Sequence, residues 1–190
     1  EKSIDRVIVS TDSQFIRRIS IKLGADAPFL RDKKIALDNT PGILPVLDVL
    51  RRVRGYEYVI LLQPTSPLRT KKDLKNFIRF ALKNKIKSAV SVCRVTDHPE
   101  LIYQVDSNGN LKKFLNSKKA NRQSFQKLFK VNGSMYFAEI NWLLKNKNFF
   151  YEKTKFFEMT KSNSLDIDDN FDWEVSEYFL NKMYNNKWKE

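Results

Sequence analysis

Two aspartates one residue apart, Asp166 and Asp168, lie in the stretch Ser164-Leu165-Asp166-Ile167-Asp168-Asp169-Asn170-Phe171-Asp172. In an extended backbone, alternate side chains share a side, so these two carboxylates face the same way with their Cα atoms ~7 Å apart. Ile167 then faces the opposite way, toward a core. Two carboxylate charges drawn to ~5 Å repel by about 3 kcal/mol at an effective dielectric of ~20. A divalent cation removes that penalty, and oxygen ligands with no nearby His or Cys favour Mg²⁺ over zinc. Asp169 and Asp172 have another use. The first can cap the helix that follows, and the second can sit in its first turn. Capping does not account for Asp166 and Asp168, which precede the helix. A lone Asp-x-Asp pair is a weak signal by itself.

A second polar cluster is Leu61-Leu62-Gln63-Pro64-Thr65-Ser66-Pro67-Leu68-Arg69. It follows Tyr58–Leu62, a short apolar run of the kind buried in a sheet. Ligands of open α/β sheets bind beyond the carboxyl ends of the strands. Each proline pushes the residue before it, Gln63 or Ser66, toward an extended conformation. Side-chain direction is thereby fixed at low entropic cost, aiming Gln63 and the hydroxyls at a ligand. A rigid turn with capping hydroxyls accounts for the segment equally well when it is taken alone.

The chain around these clusters has 190 residues, 42% of them hydrophobic. A domain of this size buries roughly 70% of its unfolded surface. No apolar run approaches the ~20 residues that span a bilayer, and the expected setting is the cytoplasm. The single cysteine, Cys93, leaves no internal disulfide and no cysteine-rich zinc site; it reads as a small buried strand residue. The formal charge is +13. Nucleic acid, an acidic membrane or an anionic small substrate could each account for it. Here lysines are scattered among asparagines, as on a solvated basic surface. No RRM, KH or zinc-finger pattern appears, so no specific nucleic acid and no membrane is expected as a partner.

Strands alternate with helices from residue 4 to residue 95. Val7–Val9, Ala27–Leu30, Tyr58–Leu62 and Ala89–Val92 read as strands. Helices are expected from Phe15 to Leu23, around Ile43–Leu50, and from Thr70 to about Lys83, where Thr70 and Asp73 form a capping box. That order predicts an α/β fold: a mainly parallel sheet with helices on both faces. The middle differs. Ile102–Val105, the turn Asp106-Ser107-Asn108-Gly109 and Leu111–Leu115 read as a hairpin. Residues 116–130 read as a basic loop or short helix standing off the sheet. Ser134–Ala138 and Phe156-Phe157 return to strand, and Phe171–Met183 reads as a final helix.

Together these segments resemble the acylneuraminate cytidylyltransferases, or CMP-sialic acid synthetases. LLQPTSPLR at 61–69 is characteristic of that family. In the family's order there follow or precede it DRVIVSTD at 5–12, Val131-Asn132-Gly133-Ser134-Met135-Tyr136, and SLDID at 164–168. The resemblance covers essentially the whole chain. It implies a Rossmann-like nucleotidyltransferase fold, with an inserted dimerisation and substrate arm at approximately 98–130. It implies transfer of CMP from CTP to the anomeric hydroxyl of a nine-carbon keto sugar acid, sialic or legionaminic acid, with release of pyrophosphate. Mg²⁺ on the triphosphate would be held by Asp166 and Asp168, the catalytic pair. Arg31 would contact the cytosine, and Gln63 the sugar acid. Tyr136, Phe149 and Phe150 would line its acyl side, although the two phenylalanines could be core. Arg122 would reach the sugar carboxylate across a homodimer, with Lys130 where an arginine is common; both could belong to the solvated surface instead. His98 reads as structural.

The chain also departs from the family. Nothing in residues 1–30 matches its basic phosphate loop, R-x-G-S-K-x-x-x-x-K-N. With Glu1 as first residue, the chain reads as a single domain lacking its N-terminal strand and phosphate loop, with little turnover of its own. Asp32 stands where a proline is usual. Glu100 and Leu101 stand where some members have a lysine. Other readings are an eight-carbon keto sugar acid as acceptor, a non-catalytic nucleotide or RNA binder, and a degenerate subunit kept for dimerisation.

Overall fold

The computed structural model describes residues 3–115 and 125–186, with the side chains of 184–186 outside the description. The chain forms two compact units. One comprises Glu1–Gln63, Arg69–Val90 and Met135–Phe157; the other comprises Pro64–Leu68, Ser91–Ser134 and Glu158–Glu190.

The elements run in the order α1 (Gln14–Lys22), α2 (Ile43–Arg52), β1 (Tyr58–Leu62), α3 (Lys71–Lys83), β2 (Ser88–Arg94), β3 (Tyr103–Val105), β4 (Leu111–Lys113), β5 (Phe129–Glu139), α4 (Ile140–Asn146), β6 (Lys155–Glu158) and α5 (Asn170–Asn186). Four strands form one sheet in the order β1-β5-β2-β6, and β3-β4 form a separate antiparallel hairpin. The larger sheet is mixed. β1 and β5 run antiparallel, with Leu61 opposite Tyr136 and Leu62 opposite Met135.

The expected helices form, for the expected local reasons. Ser13 caps α1 by accepting from the Ile16 N–H. Thr70 and Asp73 form a reciprocal capping box at the start of α3. Two segments differ from expectation. Val7–Val9 and Ala27–Leu30 form no ladder; a single parallel bridge joins Ile8 and Asp26. Two backbone bonds hold that bridge, Val9 N–H to the Asp26 carbonyl and Asp26 N–H to the Val7 carbonyl, both 2.8 Å. The Arg6–Asp26 ion pair stands beside it. Helix α4 was not legible because it is short and lacks a side-chain cap; Lys147, at φ 52°, ends it.

In the first unit, α2 and α4 pack Val46, Leu47, Leu50 and Leu143 against Ala138 of β5 and Phe149. Phe77 of α3 meets Phe137 of β5 edge-on. Helix α1 buries no residue: Phe15, Ile19 and Leu23, one turn apart, are all exposed. The interior of the second unit is more polar. Cys93 is buried there, as expected, beside a hydrogen-bonded network centred on Asn132.

Candidate active site

The segment after β1 grips the aspartate pair. The Thr65 carbonyl accepts from the Ile167 N–H at 2.9 Å. Ser66 is fully buried, and its hydroxyl donates to Asp166 Oδ1 over a long 3.4 Å. Thus the Ser66 hydroxyl is not aimed at a ligand; it meets a carboxylate of the other motif. The second proline has a physical use here, because Pro67 restricts Ser66, the residue before it, to extended conformations while Ser66 meets the 166–168 segment.

The other end of that segment is fixed by Asn132. Its side-chain Oδ1 accepts from the Ser91 hydroxyl at 2.6 Å and from the Ser134 N–H at 3.2 Å. Its Nδ2 donates to Ser164 Oγ at 2.8 Å, and Ser164 in turn donates to the Thr160 carbonyl at 2.7 Å. A buried amide with its donors and acceptors satisfied favours one arrangement of β5 against residues 160–164. Gly133 follows at φ 73°, a left-handed conformation that favours glycine. The Asn-Gly pair is therefore a positioning device for the residues that lead into Leu165 and Asp166.

Capping accounts for Asp169 and Asp172. Asp169 Oδ1 accepts from the Asp172 N–H at 2.9 Å, and Asp172 Oδ2 accepts from the Asp168 N–H at 3.1 Å. Asp168 itself is exposed, and its carboxylate has no hydrogen-bond partner among the described residues. Asp166 is half-buried, with Ser66 as its side-chain partner. No group of three or more His, Cys, Asp or Glu gathers at a metal-sized site among the described residues. Two carboxylates with free lone pairs and no nitrogen or sulfur donor fit a cation that draws its other ligands from water and phosphate. That is the usual manner of Mg²⁺.

In the first unit, the polar residues after Val9 surround Arg31. The Arg31 N–H donates to the Thr11 carbonyl at 2.9 Å, and its Nη2 to the Ser10 carbonyl at 2.6 Å. Two groups there, Arg31 Nε and Ser10 Oγ, are buried with no hydrogen-bond partner among the described residues. Leaving such a group unpaired costs about 1–3 kcal/mol, so a polar ligand would offset the cost. Ser10 was not singled out from the sequence; its place directly after an apolar strand was the only signal. Asp32, in place of a proline, caps the turn Lys33–Ile35 by accepting from the Lys34 N–H at 2.9 Å.

Gln63 is half-buried where β1 ends, and its side chain has no hydrogen-bond partner among the described residues. Strand alternation puts it on the face of Leu61, whose cross-strand partner is Tyr136. The Tyr136 ring lies 5.3 Å from that of Phe149 and 6.3 Å, edge-on, from that of Phe150. So the three expected aromatics do come together. Their roles divide: Phe149 is 5% exposed and belongs to the core, while Phe150 is 47% exposed.

Lys130 is exposed on β5 of the second unit. Arg122 lies outside the described residues. His98 is structural in its contacts. Its Nδ1 accepts from the Glu100 N–H at 3.2 Å, so the proton belongs on Nε2, which lies 3.1 Å from the Gln126 carbonyl. Arg69, the last residue of LLQPTSPLR, is partly desolvated. Burial lowers its guanidinium from the ordinary value, and the charge of Asp73 works in the opposite direction.

Residues 1–186 match the model of the cytidylyltransferase family. The chain belongs to that family. The cytidylyltransferase is 34% identical over 192 residues to a Legionella pneumophila protein named CMP-N,N'-diacetyllegionaminic acid synthase, a match covering 93% of this chain and 78% of that protein. It is 32% identical over 174 residues to an N-acylneuraminate cytidylyltransferase of Escherichia coli O18:K1:H7, covering 90% of this chain and 41% of that protein. Among solved structures, a CMP:2-keto-3-deoxy-manno-octonic acid synthetase complexed with CTP superposes with a TM-score of 0.68 at 14% identity, covering 95% of this chain and 82% of that one. A 4-diphosphocytidyl-2C-methyl-D-erythritol synthase from Anaerococcus prevotii gives 0.61, also at 14%. These likenesses place the cytidylyltransferase in an α/β nucleotidyltransferase fold. No helix among its described residues is long and apolar enough to cross a membrane.

Proposed function

We propose that this cytidylyltransferase transfers CMP from CTP to the anomeric hydroxyl of an N-acylated nine-carbon keto sugar acid, of the sialic or legionaminic type. The observation that carries the reading is the docking of Thr65 and Ser66 on the Asp166–Asp168 segment, which holds the Asp166 carboxylate and the backbone that leads to Asp168. The anomeric oxygen forms a bond to the α-phosphorus and its hydroxyl proton passes to solvent, as the bond from the α-phosphorus to the bridging oxygen breaks and pyrophosphate leaves. Asp166 and Asp168 would hold Mg²⁺, which supplies charge neutralisation on the phosphates. Arg31 and Ser10, with their unpaired buried groups, suit hydrogen bonding to the nucleotide. Gln63 suits a hydrogen bond to the sugar acid. The exposed edge of Phe150 beside Tyr136 suits an apolar acyl group. That wall, with the name of the Legionella relative, supports an N-acylated acceptor over an eight-carbon acid; the 14% identity of the octonic acid synthetase speaks to fold alone.

A homodimer belongs to the same reading. The β3–β4 arm exposes Val105, Leu111 and Phe114 at 68%, 70% and 55%, an apolar surface that a second copy would cover. Lys130 and Arg122 would then offer positive charge to the sugar carboxylate.

The test is pyrophosphate release by the protein expressed from its complete reading frame. CTP is supplied with N-acetylneuraminate, N,N'-diacetyllegionaminate or the eight-carbon 3-deoxy-octulosonate. Turnover is expected with an N-acylated acid. Equal turnover with the eight-carbon acid would overturn the acceptor assignment, and no turnover with any acid would overturn the reading.

A further inference from the structure

The second unit contains a concave site that uses none of the residues assigned above to the metal, the nucleotide or the sugar acid. It has a volume of about 140 Å³ and is lined by Arg94, Thr96, His98, Leu101, Phe125 and Lys127, among others. The imidazole of His98 stacks on Phe125 with centroids 4.6 Å apart and planes 22° from parallel. The His98 ring nitrogens are already engaged, by the Glu100 N–H and the Gln126 carbonyl. This pair is therefore a wall held in place by its hydrogen bonds and its stacking. The backbone beneath is also fixed, because the Val95 N–H donates to the Leu128 carbonyl at 2.9 Å.

The charge at this wall is unbalanced. Arg94 and Lys127 both line the cavity, and neither has an ion-pair partner among the described residues. Among the described residues, no carboxylate lines it. A guanidinium fork, an ammonium and the Thr96 hydroxyl are all donors, so the lining asks for a ligand rich in acceptors. An engineered cavity of about 150 Å³ holds benzene, with six heavy atoms; phosphate, with five, is within that size. Tetrahedral oxyanions present three or more acceptor oxygens to such donors, against two for a carboxylate.

We propose that this cavity binds a phosphate-type oxyanion, held by Arg94 and Lys127, neither of which is among the residues assigned to the nucleotide or the sugar acid. Such a ligand could be free phosphate, pyrophosphate or the phosphate group of a metabolite, which share this chemistry.

The experiment is an amide-resolved NMR titration of the protein with inorganic phosphate, with pyrophosphate and with acetate, ionic strength being held constant with sodium chloride. No turnover is involved, so the outcome is independent of the acceptor assignment. Saturable shifts confined to residues 94–101 and 125–128 are expected with phosphate, and pyrophosphate should shift the same residues whether or not it also shifts those of the candidate active site. A doubly substituted Arg94→Gln, Lys127→Gln protein should bind at least about tenfold more weakly, since both charged donors to the oxyanion are lost. Both positions are exposed, and the dispersion of the variant's spectrum verifies its fold. Non-saturating shifts scattered over the basic surface would overturn the site. So would equal response to acetate, or variant binding within about twofold of the parent's.

Discussion

The buried hydroxyl of Ser66 lies 3.4 Å from Oδ1 of Asp166, a residue 100 positions further along the chain. One residue on each side, the Thr65 carbonyl meets the Ile167 N–H at 2.9 Å. Two short motifs, each ambiguous alone, thus meet through one backbone and one side-chain contact. The shorter backbone bond sets the register, and the longer side-chain bond sets the direction of the carboxylate.

Ser66→Ala separates those two contributions. The backbone bond survives, so the loss of stability is expected to be about 0.5–1.5 kcal/mol, the net worth of one hydrogen bond. Urea denaturation measures it. Turnover should fall more than stability does, because Asp166 loses its guide. A variant with full kcat would show that Ser66 only fills space.

Asp168 and Asp166 should respond differently to neutralisation. Asp168→Asn removes an exposed charge with no partner, and its stability should stay within about 0.5 kcal/mol of the parent's. Pyrophosphate release should nonetheless be lost, and raised Mg²⁺ should not restore it. Asp166→Asn should lose turnover and also a little stability, because the amide is a poorer acceptor for Ser66. Wild-type turnover by Asp168→Asn would remove that residue from the metal assignment.

Much of this was legible in the sequence because it is local. The Thr70–Asp73 capping box, the Asp169 cap and the β3–β4 turn each follow from residues within four positions. The division between Phe149 and Phe150 was not legible. Two adjacent identical residues differ only in what β5 and α2 bring to them. Nor was the partner of Ser66 legible, since no spacing rule links positions 66 and 166. The expected strands near Val7 and Ala27 were apolar enough, but strand identity also requires a paired neighbour, and among the described residues they share a single bridge.

Asn132 carries the largest predicted polar effect. Asn132→Ala removes three buried hydrogen bonds, from the Ser91 hydroxyl, from the Ser134 N–H and to Ser164 Oγ. The expected cost is about 1–3 kcal/mol, read as a lowered urea midpoint with unchanged m-value. Asn132→Asp keeps the acceptor and removes the donor to Ser164. It isolates the half of the network that leads to Asp166.

The hairpin supplies a pH-dependent marker. Asp106 accepts from the Asn110 and Asn108 N–H groups, both at 2.9 Å, and these bonds lower its carboxyl below the usual 3.8, against a smaller opposing effect of desolvation. A group whose folded value is depressed stabilises the fold above its unfolded value. That contribution is lost as pH falls through the folded value. The Asn108 and Asn110 amide resonances should therefore titrate with a midpoint below 3.8. Asp106→Asn should abolish that titration while the rest of the spectrum is unchanged. A midpoint at or above 3.8 would show that the turn does not hold the carboxylate.

Phe149 and Phe150 provide the sharpest test of the acceptor reading, because they are adjacent and chemically identical. Phe149 is 5% exposed and packs with Leu47, Leu50 and Leu143 in the core, so Phe149→Ala should cost about 3–5 kcal/mol. Phe150 is 47% exposed and meets Tyr136 edge-on. Its truncation forfeits one aromatic contact, about 0.5–1.5 kcal/mol. If Phe150 contacts the acyl group, Phe150→Ala should raise KM for an N-acylated acid by about tenfold while KM for CTP is unchanged. Denaturation curves and steady-state kinetics on the same preparations separate the two effects. An unchanged acceptor KM in Phe150→Ala would move the acyl group off this wall, whatever happens to the stability of Phe149→Ala.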